Sequence, residues 1–201
     1  YCIAVIVGLL LHIGIVYLGL LKLLTPVKIG HFFKAIAPAQ LLAFSTSSSG
    51  ATLPVTMRQS REKHATSKDT TSFVLPLGAT INMDGTALYQ AVAAVFIGQA
   101  YGITLDIGAQ ITIILTAVMA SIGTAAVPGA GIIMLVIILE AVGISGEGVA
   151  LILGVDRILD MLRTTTNVTG DAAVCTIIAL SEKQLSLGGV DRRPQNRRPN
   201  Q

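Results

Sequence analysis

Charge is what this sequence most lacks. Asp, Glu, Lys and Arg make up 12% of its 201 residues, against roughly 25% in ordinary soluble chains. Apolar residues make up 52%, and the mean hydropathy is +0.73. So little charge beside so much apolar surface points to lipid as the main solvent. Cysteine is almost absent: Cys2 and Cys175 both lie in apolar stretches. A disulfide framework is therefore not expected, and both read as packing residues. No His/Cys spacing suggests zinc. There is no G-x-S-x-G elbow, and no histidine in the apolar stretches near Ser47, Ser48 and Ser49 to serve as base. An intramembrane hydrolase is thereby disfavoured, and the chain reads as neither an enzyme nor a nucleic-acid binder.

The first 24 residues, YCIAVIVGLLLHIGIVYLGLLKLL, are apolar up to Lys22 except for His12. Roughly 20 such residues span the hydrocarbon core. The stretch is too long for a signal peptide and has no small-residue cleavage site. His12 reads as a hydrogen bond to a neighbouring helix rather than a proton relay. Because the chain opens on Tyr1 rather than Met, we expect a fragment whose earlier helices are missing. Basic residues cluster at Lys22, Lys28 and Lys34, at Arg58, Arg61, Lys63 and Lys68, and at Arg192, Arg193, Arg197 and Arg198. The loops between carry Asp106, Glu140 and Glu147 instead. By the positive-inside rule all three basic clusters belong to the cytoplasm, including a polar tail over 184–201 read as disordered. His31 and His64, near the basic interface, read as solvated.

Residues 31–44 and 53–61 form two segments too short to cross, joined by a Ser/Thr/Gly-rich stretch over 45–52. With basic residues at both ends, this path enters from the cytoplasm and returns. A helix over 71–101 follows, interrupted at 82–86. Segments 109–122 and 132–142 then flank a second small-residue tip over 123–131, with acidic ends, so it enters from the other face. A polar helix over 149–180 closes the series. The expected fold is all-α: a polytopic membrane protein with two re-entrant hairpins, a broken helix and inverted repeats. That topology suits secondary transporters, with both tips and the break meeting at one internal site. Read alone, each tip also suits a flexible surface loop. The domain division is a transmembrane helix over 1–27, a transport core over 28–183 and the tail over 184–201.

Asp156, Asp160, Arg163, Asn167 and Asp171 are spaced by 4, 3, 4 and 4 residues, so they share one stripe of the last helix, with Thr164 at its edge. Ionisable residues at membrane depth face a bundle interior or a cavity. An ion-pair ladder of Asp156 or Asp160 with Arg163 explains part of the stripe, but not Asn167 and Asp171. Asp84 adds a carboxylate where unwinding frees carbonyls for a hard cation. The second legs of the hairpins start after Ser49-Gly50 and Pro128-Gly129, where free amides attract anions. Together these groups describe a zwitterionic acid bound beside cations. Gln90, one turn beyond Thr86, reads equally as a site residue or a packing amide.

TSSSGATLP at 46–54, NMDGTALY at 82–89, GTAAVPGAG at 123–131 and RTTTNVTGD at 163–171 resemble, in order, the glutamate transporter family of dicarboxylate/amino acid:cation symporters. The resemblance covers residues 1–183. Inverted repeats are established for that family, so the segment pattern is not independent of it. The resemblance implies that Asp160 holds the substrate amino group and Arg163 its side-chain carboxylate. Asn167, Thr86 and the amides around Ser48 and Ser49 would hold the main carboxylate. Thr164 would line the site, and Val127 and Gly131 would sit on a second tip acting as gate. One sodium site would use Asp171 with carbonyls of Gly78, Asn82 and Asn167. A second would use carbonyls of Thr80, Ser121, Ile122 and Thr124. Asp84 and Asn82 would form part of a third, completed from an earlier helix.

The family implies no cofactor beyond co-transported sodium or protons. It also implies a bilayer environment and a homotrimer built on N-terminal helices. Where relatives often carry an extra arginine, this chain has Ser47 and Met161, with Arg157 elsewhere on the helix. Gln90 replaces a proton-binding Glu of animal carriers. The expected function is sodium-coupled symport of glutamate or aspartate by alternating access. The alternatives are a C4-dicarboxylate carrier, proton coupling, or a passive anion pore.

Overall fold

The computed structural model describes residues 1–63 and 66–182; these form helices and turns, with no strand among them. The tail over 184–201 and His64 lie outside the described residues.

Helix α1, Cys2–Leu24, has 23 residues of mean hydropathy 2.5. It is the one helix among the described residues long and apolar enough to cross a bilayer by itself. It is not α-helical throughout. His12–Tyr17 forms a π-helical turn, in which Leu18 N–H donates to Ile13 O, five residues back.

Helices α2, Ile29–Thr46, and α3, Ser49–Lys63, pack against each other as a hairpin. Only Ser47 and Ser48 separate them, whereas the sequence reading gave the tip eight residues. The difference is capping. Ser48 Oγ accepts the Ala51 N–H at 3.1 Å, and its carbonyl accepts the Thr52 N–H at 3.1 Å. Ser48 thus starts α3 as an N-cap, satisfying donors the first turn leaves open. Ser47 turns the chain with φ 53°. At 18 residues, about 27 Å, α2 is longer than the sequence reading made it, so length alone does not mark it as re-entrant.

Helices α4, Lys68–Ile81, and α5, Asp84–Ala100, are the halves of the broken helix. The break is confined to Asn82 and Met83, shorter than the expected 82–86. Asp84 to Thr86 instead form the first turn of α5. An acid there complements the helix dipole, and a side chain from another helix caps it, as described below.

Helices α6, Ile107–Ile122, and α7, Ala130–Ala141, form the second hairpin. Asp106 Oδ1 accepts the Ala109 N–H at 2.7 Å and starts α6 two residues earlier than expected. A 3₁₀ turn, Gly146–Leu151, leads into α8, Leu153–Ser181. Residues 149–151, which the sequence reading placed in the last helix, belong to that turn.

Helix α8 runs through the middle, touching α1 to α5. Its stripe is buried: Asp156, Asp160, Arg163, Asn167 and Asp171 are all 8% exposed or less. An apolar cluster including Ile97, Leu135, Ile138, Leu139 and Leu159 packs α5, α7 and α8 together. Cys2 and Cys175 pack against apolar neighbours. Leu10, Leu23, Ile107, Met119 and Ile133 face outward. Charge inside and large apolar side chains outside reverse the arrangement water imposes, as expected where the surroundings are apolar.

Candidate functional site

The two tips meet. Ser48 Oγ donates to Ala126 O at 2.7 Å and Gly50 N–H to the same oxygen at 3.2 Å. Below them lies a cavity of about 20 Å³, lined by Ser47, Ser49, Met83, Thr86, residues 124–127, Gly131, Asp160, Arg163, Thr164 and Asn167. A space of that size holds about one water, so it is closed to a molecule as large as an amino acid. The residues read as substrate ligands therefore line one cavity, with the exception of Ser48, whose hydroxyl ties the tips. Val127 contributes to the rim while its side chain is 57% exposed.

Arg163, 2% exposed, dominates the electrostatics. Its Nε donates to Asp160 Oδ1 at 2.9 Å, at the i−3 position. The guanidinium carbon lies 4.2 Å from the centroid of the Tyr89 ring, a cation–π contact that gains strength when desolvated. Asp156 Oδ1 lies 4.0 Å from Nη1 and accepts the Tyr89 hydroxyl at 2.5 Å. Nη1 itself has no hydrogen-bond partner, and a buried donor of this kind is costly until met. Asp160 Oδ2 accepts the Gly129 N–H at 2.8 Å. Gly129 adopts φ 77°, a left-handed conformation that favours glycine. Gly131 lies hard against the guanidinium: a Cβ there would sit 2.6 Å from Nη1. Gln90, fully buried, donates from Nε2 to Gly131 O at 2.9 Å. The second tip is thus held at Asp160, Gln90 and the first tip.

Asn167 caps the broken helix. Its Oδ1 accepts the Gly85 N–H at 2.8 Å and its Nδ2 donates to Thr86 Oγ1 at 3.0 Å. One helical turn further, Asp171 Oδ1 accepts from Asn82 Nδ2 at 3.1 Å and lies so near Gly78 that a Cβ there would come within 2.6 Å. Gly78, Asn82, Asn167 and Asp171 are therefore brought together around the break. Their carboxylate, amide and main-chain oxygens are the hard donors that suit an alkali or alkaline-earth cation.

The remaining cation candidates divide. Ser121 O accepts the Thr124 N–H at 3.2 Å, and Thr124 Oγ1 donates to Ala120 O at 2.8 Å. Thr80 and Ile122 expose their side chains, at the ends of α4 and α6, which touch. Asp84 does not join Asn82 through side chains. Its carboxylate turns to α1, where His12 Nε2 lies 2.7 Å from Oδ2 and Tyr17 Oη donates to Oδ1 at 2.5 Å. His12 thus has the interhelical hydrogen bond its sequence context suggested. His31 Nε2 lies 3.3 Å from Lys63 O.

Sequence reasoning missed Tyr89, Met83, Ala125, Ala126 and the lining role of Ser47. Only Tyr89 left a signal: it falls three residues after Thr86, on the face that buries Gln90 and Ala93.

The family described as "Sodium:dicarboxylate symporter family" matches residues 1–181. Excitatory amino acid transporter 2 of Homo sapiens is 46% identical over 92% of this chain and 32% of its own length. Excitatory amino acid transporter 3 of Mus musculus is 50% identical over 92% of this chain and 36% of its own length. A putative sodium-dependent excitatory amino acid transporter of Caenorhabditis elegans is 47% identical over 94% and 38%. The chain spans about a third of the length of the curated relatives it matches.

Proposed function

The chain belongs to the sodium:dicarboxylate symporter family, and from that premise we propose that it forms the substrate- and cation-binding core of a sodium-coupled symporter for glutamate or aspartate. The carrier sits in a membrane and works by alternating access. Its core spans residues 28–183, with the α2–α3 and α6–α7 hairpins re-entrant from opposite faces as inverted repeats. The names of the relatives, excitatory amino acid transporters, support the substrate class.

The observation that carries the reading is the Arg163–Asp160 pair. The buried guanidinium of Arg163 lines the cavity, its Nη1 has no hydrogen-bond partner, and a buried carboxylate lies beside it. A ligand that carries both a carboxylate and an ammonium group matches both. Arg163 takes the side-chain carboxylate in bidentate fashion, and Asp160 takes the amino group. Asn167, Thr86 and the first tip around Ser48 and Ser49 hold the main carboxylate, and Thr164 lines the site. Entry requires the second tip, with Val127 and Gly131, to withdraw, because the cavity is closed. Withdrawal breaks the Gly129–Asp160 and Gln90–Gly131 hydrogen bonds, which hold the tip shut over the empty cavity.

Sodium binds in three places: at Asp171 with Gly78, Asn82 and Asn167; at carbonyls of Thr80, Ser121, Ile122 and Thr124; and at Asp84 near Asn82. The carrier is a homotrimer through helices outside this chain, with a cytoplasmic C-terminal tail.

A C4-dicarboxylate satisfies Arg163 but leaves Asp160 facing a second anion, which costs affinity. Competition against labelled aspartate separates the two. L-aspartate and L-glutamate are expected to inhibit uptake at concentrations where succinate does not. Inhibition by succinate at equal or lower concentration refutes the amino-acid assignment.

A further inference from the structure

The π-helical turn in α1, His12–Tyr17, has a register with a definite effect. Residues five apart on an α-helix point about 140° away from each other. In a π-helix the i→i+5 hydrogen bond closes the turn, so such residues stack on one face. His12 and Tyr17 are five apart and bound this turn. Both reach one carboxylate: His12 Nε2 is 2.7 Å from Asp84 Oδ2, and Tyr17 Oη is 2.5 Å from Oδ1. The two rings meet edge to face, with centroids 4.9 Å apart. The Gly85 N–H, whose shorter bond goes to Asn167 Oδ1, adds a third contact to the carboxylate, at Oδ1 and 3.2 Å.

A second feature, on another helix, serves the same contact. The Tyr17 hydroxyl passes over Gly170 of α8 so closely that a Cβ there would collide with Oη, and it would lie 2.6 Å from Cζ. Tyr17 is 3% exposed among Leu21, Phe32, Ile36, Ala172 and Ala173. Phenylalanine would fill that apolar pocket as well. The hydroxyl is therefore the part of Tyr17 that packing does not account for.

We infer that Tyr17 is a positioning residue: its hydroxyl, delivered by the π turn and admitted by Gly170, fixes the Asp84 carboxylate in the orientation that binds a co-transported cation. The inference rests on the reading of Asp84 as a cation ligand. Removing a group that orients a metal ligand through a hydrogen bond typically costs about 10- to 100-fold in metal affinity. His12 supports the second oxygen in the same way. Neither residue touches the substrate cavity, so their effect falls on the cation and not on the acid.

The test is Tyr17→Phe in the full-length protein, reconstituted in liposomes, with labelled aspartate uptake measured against sodium concentration. The half-saturating sodium concentration is expected to rise about 10- to 100-fold. The KM for aspartate at saturating sodium should move far less. Gly170→Ala, which pushes the ring away without removing the hydroxyl, is expected to show the same split. His12→Gln, which retains an N–H donor, is expected to keep sodium affinity closer to wild type than His12→Ala. An unchanged or lowered half-saturating sodium concentration in Tyr17→Phe overturns the inference. Equal losses in both constants mark a structural role and overturn it too. If the wild-type protein shows no sodium-driven uptake, the symport reading itself fails. Sodium-dependent thermal stabilisation of the purified protein then decides the inference: a midpoint shifted to higher sodium in Tyr17→Phe supports it, and an unshifted midpoint overturns it.

Discussion

Replacing Arg163 with alanine removes a guanidinium that is 2% exposed and bonded to Asp160 at 2.9 Å. It also removes the cation stacked on Tyr89 and leaves Asp160 and Asp156 without their buried counter-charge. Breaking one side of a buried pair costs roughly 3–5 kcal/mol. In the bound carrier the missing partner is the substrate's side-chain carboxylate. At about 1.4 kcal/mol per tenfold, the loss in affinity for aspartate or glutamate is at least about a hundredfold. Serine and alanine carry no side-chain carboxylate. They keep the contacts to Asp160 and to Asn167 and Thr86, so they should lose far less or even gain. The assay is competition by a panel of acidic and neutral amino acids in proteoliposomes, with membrane insertion checked in parallel. An Arg163→Ala protein that folds and still transports aspartate with near-normal affinity would refute the assignment of an acidic substrate to this guanidinium.

Three further outcomes follow from the same geometry. Gln90 donates to Gly131 O whatever the pH, so sodium-driven uptake should depend little on external pH. Gln90→Glu should make uptake fall as pH rises, because an ionised carboxylate no longer donates to that carbonyl; a flat profile in the variant would refute the tether. Single cysteines at Ala126 or Ala130 should lose reactivity toward a thiol reagent when sodium and aspartate are added together, since the second tip closes over the ligand, and equal labelling under all conditions would remove this tip as the gate.

The stripe of α8 was legible in the sequence because charged residues at helical spacing in an apolar chain have few other places to go. The two tips were legible as small-residue interruptions between apolar segments. Their extent was not. A serine-rich stretch reads as loop, yet Ser48 acts as an N-cap, and so Ser49 and Gly50 already belong to α3. The break at Asn82 and Met83 was shorter than expected for a similar reason. Asn167, 82 residues from Gly85 in sequence, accepts the Gly85 N–H and so lets α5 start at Asp84. Long-range caps leave no local trace. The cradle of Arg163 was half legible: Asp156 lay on the stripe, but its bond to Tyr89 spans 67 residues. The π turn was not legible at all, because a five-residue register leaves no mark in composition or hydropathy.

The central claim is that sodium drives an acidic amino acid through the cavity at Arg163 and Asp160. The most direct measurement is uptake of labelled aspartate by proteoliposomes holding the full-length protein, with an inward sodium gradient and no other driving force. Accumulation above the external concentration, abolished when choline replaces sodium, is the expected result. Full uptake in choline under a proton gradient would contradict the claim, as would equilibration without accumulation, which marks a passive pore.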